Sequence, residues 1–463
     1  MNHATFNVAP PNLRPYQEKM VSEIRAAYRA GHRSVLLVSP TGSGKTVVFS
    51  YIAHQSSIKG TPTGILVHRD SLLWQTSRAL SAYQVPHGIV APGQPRTDHK
   101  VQVASVQSLV RRLDHYRFGF IVVDEAHHAT ATTWRKVFEA NPQAYILGVT
   151  ATPCRSDGRG LKDIFQHMIL GPSVRQLISQ GHLVQPVTYG PAKPLDLSKI
   201  RTIAGDYDEG QLAEEMARPT ITGCAVTEYT RLCPGQPAVA FCVNVAHAEI
   251  TAAAFHHAGY RARAIHGKLP VEDIRAALAD LESGNIQVLA QCQLVNEGLD
   301  IPAISIGIML RPTLSLGLAI QQWGRCLRPL PGKTQAIILD HAGLCVMHGI
   351  LPESDHEWML DATKRKKSQA PPIKTCPVCY AVFTPAPECP QCGYIWPLKK
   401  QIPPERDGTL TRVDTAEIER RKKAARREVG RANTIEELLR IQVARGYKPG
   451  WAQIVFRAKQ SKQ

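Results

Sequence analysis

The chain has 463 residues, 43% hydrophobic and 20% charged, with a formal net charge of +17 at pH 7. At roughly 100–200 residues per domain it is expected to hold two to four domains, and no run approaches the ~18 consecutive apolar residues of a helical membrane span. Residues 361–463 contain 22 Lys and Arg against 10 Asp and Glu and so carry +12 of the +17, which suggests a polyanionic partner, nucleic acid before membrane.

Residues 1–15 show no basic region followed by an apolar run, so no secretory signal is expected and the cytoplasm is the expected compartment. SVLLVS at 34–39 is a short apolar run ending in a Gly-rich turn. GILVH at 64–68, VQVAS at 101–105, FIVVD at 120–124 and YILGV at 145–149 follow. Apolar strands alternating with helices predict a parallel sheet covered on both faces. The rhythm repeats with AVAFC at 238–242, RARAIH at 261–266, IQVLAQ at 286–291, ISIGIML at 304–310 and QAIILD at 335–340. The fold class is therefore α/β with two tandem parallel-sheet lobes, 1–186 and 187–355, and residues 190–215 read as their connection. A basic, Pro-rich linker covers 356–374, a cysteine module 375–397 and a basic helical tail 398–463.

SPTGSGKT at 39–46 lies between a strand and an apolar helix pattern. Thr41, Gly42, Ser43 and Gly44 form a turn whose N–H groups can cradle phosphate oxygens, with the glycines allowing those groups to point inward. Lys45 supplies charge to the β- and γ-phosphates of ATP, and Thr46 offers a hydroxyl to Mg²⁺. The strict pattern has Gly where this chain has Ser39. Asp124-Glu125-Ala126-His127 ends the strand FIVVD, at the edge where a parallel sheet presents its ligands. Asp124 is placed to hold Mg²⁺, and Glu125 to orient and deprotonate an attacking water. Arg325 and Arg328 are three apart, share one helix face, and supply the cation that a cleft between lobes requires at the γ-phosphate.

These pieces resemble the superfamily 2 helicases of the DEAD/DEAH-box class, in the branch of the type III restriction subunits and XPB-like helicases. The resemblance runs from about residue 10 to 350, with the motifs in the family's order. LRPYQ at 13–17 resembles the adenine-reading motif, ILVHRDSLLWQ at 65–75 motif Ia and VASVQSL at 103–109 motif Ib. DEAH at 124–127 is similar to motif II, and Thr150-Ala151-Thr152 to motif III. VAFCVNVAHAE at 239–249 resembles motif IV, NEGLDIP at 296–302 motif V and QQWGRCLRP at 321–329 motif VI. The resemblance implies two RecA-like lobes, with Gln17 reading adenine and Asp300 touching the nucleotide from the second lobe. It also implies that His127 and Gln321 bridge the lobes, and that Arg69, Gln107, Thr150 and Thr152 lie along the nucleic-acid path. Thr150 and Thr152 further link nucleotide state to lobe movement. Motif V departs from the family: Gln291-Cys292 stands where a Ser or Thr is usual.

Seven of the eleven cysteines (Cys154, Cys224, Cys233, Cys242, Cys292, Cys326, Cys345) are scattered and read as reduced core thiols. Cys376, Cys379, Cys389 and Cys392 form two C-x-x-C knuckles nine residues apart, the pattern of a structural Zn²⁺ ribbon. In the tail, Thr434-Ile-Glu-Glu437 is a capping box. RRKKAARR at 420–427, followed by Tyr447, Trp451 and Phe456, reads as an auxiliary nucleic-acid contact, with a solvated face or a docking surface for a protein partner as alternatives. GYKPGWA at 446–452 resembles the tail of helicases of phages and mobile elements, which suggests a bacterial or phage-encoded origin. The sequence thus points to an ATP-dependent helicase or translocase with DNA favoured over RNA. A duplex-DNA translocase, an RNA helicase and a zinc-dependent nucleic-acid-binding module with a vestigial ATPase remain open beside it.

Overall fold

A computed structural model describes residues 12–68, 70–154, 160–191, 195–203, 205–292, 304–350, 358–361, 372–396, 415–445, 447–448 and 450–460. The chain divides into two compact units, Met1–Trp396 and Pro397–Gln463. Arg69, Asp300 and the whole NEGLDIP segment lie outside the described residues.

The first sheet contains β1 (Ser34–Val38), β2 (Thr63–Val67), β3 (His87–Val90), β4 (Val101–Ser105), β5 (Phe120–Asp124), β6 (Tyr145–Thr150) and β7 (His167–Leu170). Their order is β3-β4-β2-β5-β6-β1-β7, every pairing parallel. β1, β2 and β4 are buried along their whole length, as strands with helices on both faces must be. The helix Pro15–Arg29 precedes β1 and buries Met20, Val21, Ile24 and Ala27, one stripe of a 3.6-residue period. Proline at its first position and a capping box through Gln17 fix its start.

The chain crosses to the second sheet through the helix Val174–Ser179 and enters it at β8 (Gln185–Tyr189). The crossing therefore precedes 190–215, the stretch whose weak periodicity suggested a connection. That stretch instead holds a hairpin, β9 (Thr202–Ile203) with β10 (Asp206–Tyr207), and the helix Glu209–Met216. Leu212, Ala213 and Met216 of that helix pack against Val243 of the second lobe. The remaining strands are β11 (Ala238–Cys242), β12 (Ala262–His266), β13 (Val288–Cys292), β14 (Ile306–Met309) and β15 (Gln335–Asp340), with β16 (Lys374–Thr375) and β17 (Ala381–Phe383) from the cysteine module.

The second sheet has the order β12-β13-β11-β14-β15-β8-β17-β16. It is parallel from β12 to β8. β17 then pairs antiparallel with β8, in the register Ala381↔Tyr189 and Val382↔Thr188. The cysteine module is thus the continuation of the second lobe's sheet. Val382 belongs to that lobe's core, and Tyr189 packs against Cys376, Phe383 and Cys389. Covering β8 in this way removes an edge of unpaired N–H and C=O groups. Residues 358–361, placed in the linker by sequence, return to the first lobe: the Lys162 N–H donates to the Leu360 carbonyl at 3.0 Å, and Trp358 and Leu360 pack against its core.

Among the described residues the C-terminal unit holds three helices, Thr415–Arg431, Ile435–Ala444 and Trp451–Gln460. Thr434 and Glu437 form the capping box that the sequence predicts. Trp451 and Phe456 pack against Ala432, Leu438, Ile441 and Ala452 in the unit's core, and Tyr447 stacks on Trp451 with ring centroids 4.4 Å apart. Two of the three tail aromatics, Trp451 and Phe456, are thus partly buried against that core. Among the described residues, no helix is long and apolar enough to cross a membrane.

Val382 is only 7% exposed, so Val382→Asp would bury a carboxylate in the second lobe's sheet. The expected cost is about 3 kcal/mol, which lowers the melting temperature of that lobe by roughly 6–12 °C. Scanning calorimetry measures the shift, and an unchanged melt would mean that the β17 pairing is not part of the lobe's cooperative unit.

Candidate nucleotide and metal sites

The phosphate loop leaves β1 at the C-terminal end of the first sheet. The Ser39 N–H donates to the Thr150 carbonyl at 3.0 Å, tying the loop to the end of β6. Ser39 is wholly buried, and its hydroxyl lies 2.7 Å from that of Ser43, closing the loop on itself. This accounts for Ser39 where the strict pattern has glycine. Gly42 and Gly44 take φ of +87° and +78°, values that favour glycine. Space excludes larger residues as well. A methyl group on Gly44 would lie 2.4 Å from Gln17 Nε2, and one on Gly42 would lie 2.9 Å from Leu183 Cδ2.

Gln17 is buried, donates to the Ser43 carbonyl at 3.2 Å and accepts from the Arg14 N–H at 2.9 Å. Tyr16, which the sequence did not single out, donates its hydroxyl to the same Ser43 carbonyl at 3.0 Å. Its ring packs on His182 of the interlobe crossing, centroids 5.2 Å apart. Lys45 opens the helix Lys45–Ile58 and donates to the carbonyls of Ser39 and Pro40 at 3.0 and 3.2 Å. Thr46 follows it in the first turn, where helix N–H groups attract anions.

Asp124 ends β5, and its Oδ1 accepts from the Glu125 N–H at 2.9 Å. Glu125 sits in the left-handed region, φ 49° and ψ 55°, a strained backbone that only a well-determined site retains. His127 Nδ1 lies 3.3 Å from Glu125 Oε2 and 3.2 Å from Thr150 Oγ1. Burial and the adjacent Glu125 carboxylate push the Asp124 carboxyl up. Burial acts on Glu125 too, but its hydrogen bond to His127 and the charges of His127 and Lys45 hold it down, ionised at neutral pH. Thr150 and Thr152 are 0% and 2% exposed, and the Thr152 N–H donates to Thr150 Oγ1 at 3.1 Å. Both are buried behind His127, at the end of β6. Gln107 is exposed and donates to the His68 carbonyl at 3.1 Å, beside position 69. Gln291 and Cys292 are buried at the end of β13.

The second lobe approaches this loop with the helix Leu316–Cys326. A methyl group on Gly324 would lie 2.6 Å from Thr41 Cβ, and one on Gly317 would lie 3.1 Å from Thr152 Oγ1. Gly317, Gln321 and Gly324 share that face at helical spacing. His127 turns to partners within the first lobe, Glu125 and Thr150, while Gln321 sits one turn before Arg325. The helix ends at Cys326, so Arg328 lies beyond its C-cap, not on the same helical face as Arg325. Both arginines nonetheless act on Lys45: burial lowers its pKa first, the acids Glu125 and Asp124 oppose this, and Arg328 and Arg325 lower it further. Lys333, which no motif flags, fixes this end of the helix. Its ammonium donates to the carbonyls of Cys326, Arg328 and Ile304 at 2.5, 2.7 and 2.7 Å, and burial brings its pKa down to about 8.

The four knuckle cysteines place their sulfurs within 4.8 Å of one another. Cys376 and Cys392 Sγ are 3.6 Å apart, Cys379 and Cys389 Sγ 3.7 Å. A tetrahedron with Zn–S of about 2.3 Å has edges of roughly 3.8 Å, so the set fits Zn²⁺. The two knuckles repeat one geometry. The N–H groups of Tyr380 and Gly393 return to the carbonyls of Cys376 and Cys389, and both residues have positive φ, 62° and 72°. Of the scattered cysteines, Cys233, Cys242, Cys292, Cys326 and Cys345 are buried, whereas Cys154 is partly exposed and Cys224 exposed.

Residues 11–155 match the family described as the res subunit of type III restriction enzymes, and residues 225–329 match the helicase conserved C-terminal domain. A 51.5 kDa protein of a Lactococcus phage (isolate 7-9) is 33% identical over 79% of this chain and 76% of its own length. The Saccharomyces cerevisiae protein IRC3, which bears the name of an ATP-dependent helicase, is 27% identical over 72% of this chain; the chain spans about half (52%) of that relative. Among solved structures, a fragment described as an HsdR subunit of a type I restriction enzyme from Vibrio vulnificus superposes with a TM-score of 0.59. Its identity is 20%, over 73% of this chain and 66% of that one. The type ISP restriction-modification enzyme LlaBIII gives 0.52 at 17% identity, over 71% of this chain and 28% of that one.

Purified protein is expected to carry about one Zn²⁺ per chain by elemental analysis, falling to none in the Cys376→Ser/Cys389→Ser variant. Lys333→Met would leave three carbonyls without their donor, at about 1–3 kcal/mol. Nucleotide turnover should fall roughly tenfold, the equivalent of 1.4 kcal/mol, as the arginines lose their position. Nucleotide affinity should change far less. A kcat equal to that of the unaltered protein would make Lys333 a structural cap alone.

Proposed function

The chain belongs to the superfamily 2 helicases, in the branch of the type III restriction subunits, and on that premise we propose that it is a DNA-directed motor driven by ATP hydrolysis between its two lobes. The observation that carries this reading is the approach of the second lobe to the phosphate loop: a methyl group on Gly324 would lie 2.6 Å from Thr41 Cβ, and one on Gly42 would lie 3.9 Å from Arg328 Cγ. A cleft that brings cations of both lobes to one phosphate site turns over nucleotide only when the lobes are together, which is how hydrolysis becomes movement.

In this reading Gln17 and the loop Thr41–Thr46 bind the nucleotide, and Lys45 neutralises its β- and γ-phosphates. Asp124 and Thr46 would hold Mg²⁺, whose chemistry is to neutralise charge on the phosphate oxygens. Glu125, kept ionised by His127, accepts the proton of the attacking water. Arg325 and Arg328 stabilise charge on the transferred phosphoryl group. Asp300 and Gln321 complete the nucleotide contacts, and Arg69 and Gln107 those to the strand. Cys376, Cys379, Cys389 and Cys392 hold a structural Zn²⁺. The Lactococcus phage relative supports a phage-encoded origin.

ATP turnover measured with single-stranded DNA, duplex DNA and RNA in parallel tests the proposal, with stimulation by DNA expected to exceed that by RNA. Strand displacement on a partial duplex separates unwinding from translocation. Lys45→Ala should abolish turnover. Glu125→Gln should bind ATP with little change and hydrolyse it ~10²–10⁴-fold more slowly. Turnover indifferent to nucleic acid, or a Glu125→Gln variant as fast as the parent, defeats the reading.

A further inference from the structure

The C-terminal unit has a groove that the motor's motifs do not use. Its core is small: Ala432, Leu438, Ile441 and Ala452, with Trp451 and Phe456 packed on them. Lys459 holds the end of the helix Thr415–Arg431, donating to the carbonyls of Val429, Gly430 and Ala432 at 2.5, 2.9 and 2.6 Å. One face of that helix lies outside the core. Arg420, Lys423, Arg427 and Arg431 recur at spacings of three, four and four residues, share that face, and are all exposed. With Arg440 of the helix Ile435–Ala444 they line a groove of about 620 Å³.

The carboxylates in the groove have other partners. Glu428 Oε2 accepts from Arg445 Nε at 3.1 Å. Glu437 Oε2 accepts from the N–H groups of Asn433 and Thr434 at 2.7 and 3.2 Å, capping its own helix. Among the described residues, Lys423, Arg427, Arg431 and Arg440 therefore face two acids that already have partners. Like charges three and four residues apart destabilise a helix, and an anion in the groove relieves that repulsion.

We propose that this groove binds the phosphodiester backbone of nucleic acid, as a grip additional to that of the two lobes. The proposal rests on the reading of the chain as a nucleic-acid motor. At ~1.5 Å per residue, Arg420 and Arg431 are roughly 16 Å apart along the helix. A duplex strand carries one charge per ~3.4 Å of axis, so the row runs beside about five phosphates. Contacts of this kind fix position and carry no sequence preference.

The test uses the full chain and anisotropy of fluorescein-labelled duplex and single-stranded DNA across a salt series. Arg427→Gln/Arg431→Gln is compared with Lys448→Gln/Arg457→Gln, which removes the same charge from exposed positions that do not line the groove. Glutamine preserves helix propensity, and circular dichroism checks that helicity survives. The groove pair should lose about tenfold in affinity. Its slope of log affinity against log salt should shrink by ~0.9 per lost contact on duplex and ~0.7 on single strand. Arg427→Lys/Arg431→Lys should keep the parental slope. Equal losses in the two glutamine pairs overturn the proposal, as does a groove pair with parental affinity and slope. The latter result would return the groove to a solvated face or to an acidic protein partner. If the parent protein itself neither binds DNA nor turns over ATP faster in its presence, the motor reading fails first. If the parent does both and only the groove pair is silent, the groove alone is wrong.

Discussion

The cleft depends on the close approach of the Gly324 backbone to the Thr41 side chain. Gly324 of the second lobe lies so near Thr41 of the phosphate loop that a single added methyl group would clash. Gly317, two turns earlier, stands against Thr152 in the same way. Because protein interiors are packed to crystal-like density, a clash here cannot be absorbed by drift. It would hold the helix Leu316–Cys326 away from the first lobe, and the arginines at its end would move with it. Position along that helix therefore decides whether Arg325 and Arg328 share an electrostatic environment with Lys45. Lys333 sets the same helix from the other side by binding the carbonyls at its end.

The charges brought together there are mutually sustaining. Burial opposes every one of them: it lowers Lys45 and raises Asp124 and Glu125. Lys45 is supported by two acids and opposed by two arginines. Three basic side chains and two carboxyl groups thus meet at one site, a set suited to an anionic magnesium–triphosphate. His127 adds a discriminating element. Its Nδ1 lies within 3.3 Å of Glu125 and of Thr150, so it joins Glu125 to the end of β6, and through Thr152 to the face that Gly317 approaches. The chemistry at Glu125 and the seating of the second lobe thus meet in one short chain of contacts.

The parts legible in the sequence were those whose chemistry requires fixed residues at fixed spacing. The phosphate loop, Asp124 and Glu125 at a strand end, and the two cysteine knuckles need no tertiary information to be found. Strand positions were legible for a related reason, since buried parallel strands are continuous apolar runs. What escaped was set by pairing across long separations. Weak periodicity in 190–215 looked like a connection, yet the helix Glu209–Met216 buries its apolar residues against Val243. Lys333 carries no local signal, because its partners are carbonyl groups that exist only once the helix Leu316–Cys326 is in place. Trp451 and Phe456 read as ligand-facing because they follow a basic run, and nothing local signals that they also pack against the core of a small helical unit. The reading of two arginines on one helical face failed at the cap, one residue short of Arg328.

The attachment of the cysteine module follows from where the chain crosses between lobes. The crossing enters the second sheet at β8, and its residues are held at both ends. Leu183 sits against Gly42 of the phosphate loop, and the Val184 N–H donates to the Leu327 carbonyl at 2.9 Å, at the end of the arginine-bearing helix. Immediately afterwards β8 is paired on one side with β15 and on the other with β17. Without β17 the strand that follows the crossing would be an edge strand, free to fray. A β-strand of three residues is too short to hold an edge by its own hydrogen bonds. A Zn²⁺ held by the four cysteines would offset this, since a closed tetrahedral metal site contributes on the order of 10–16 kcal/mol to the fold of so small a module. Placed one strand away from the crossing, that rigidity serves the segment on which the relative position of the two lobes turns.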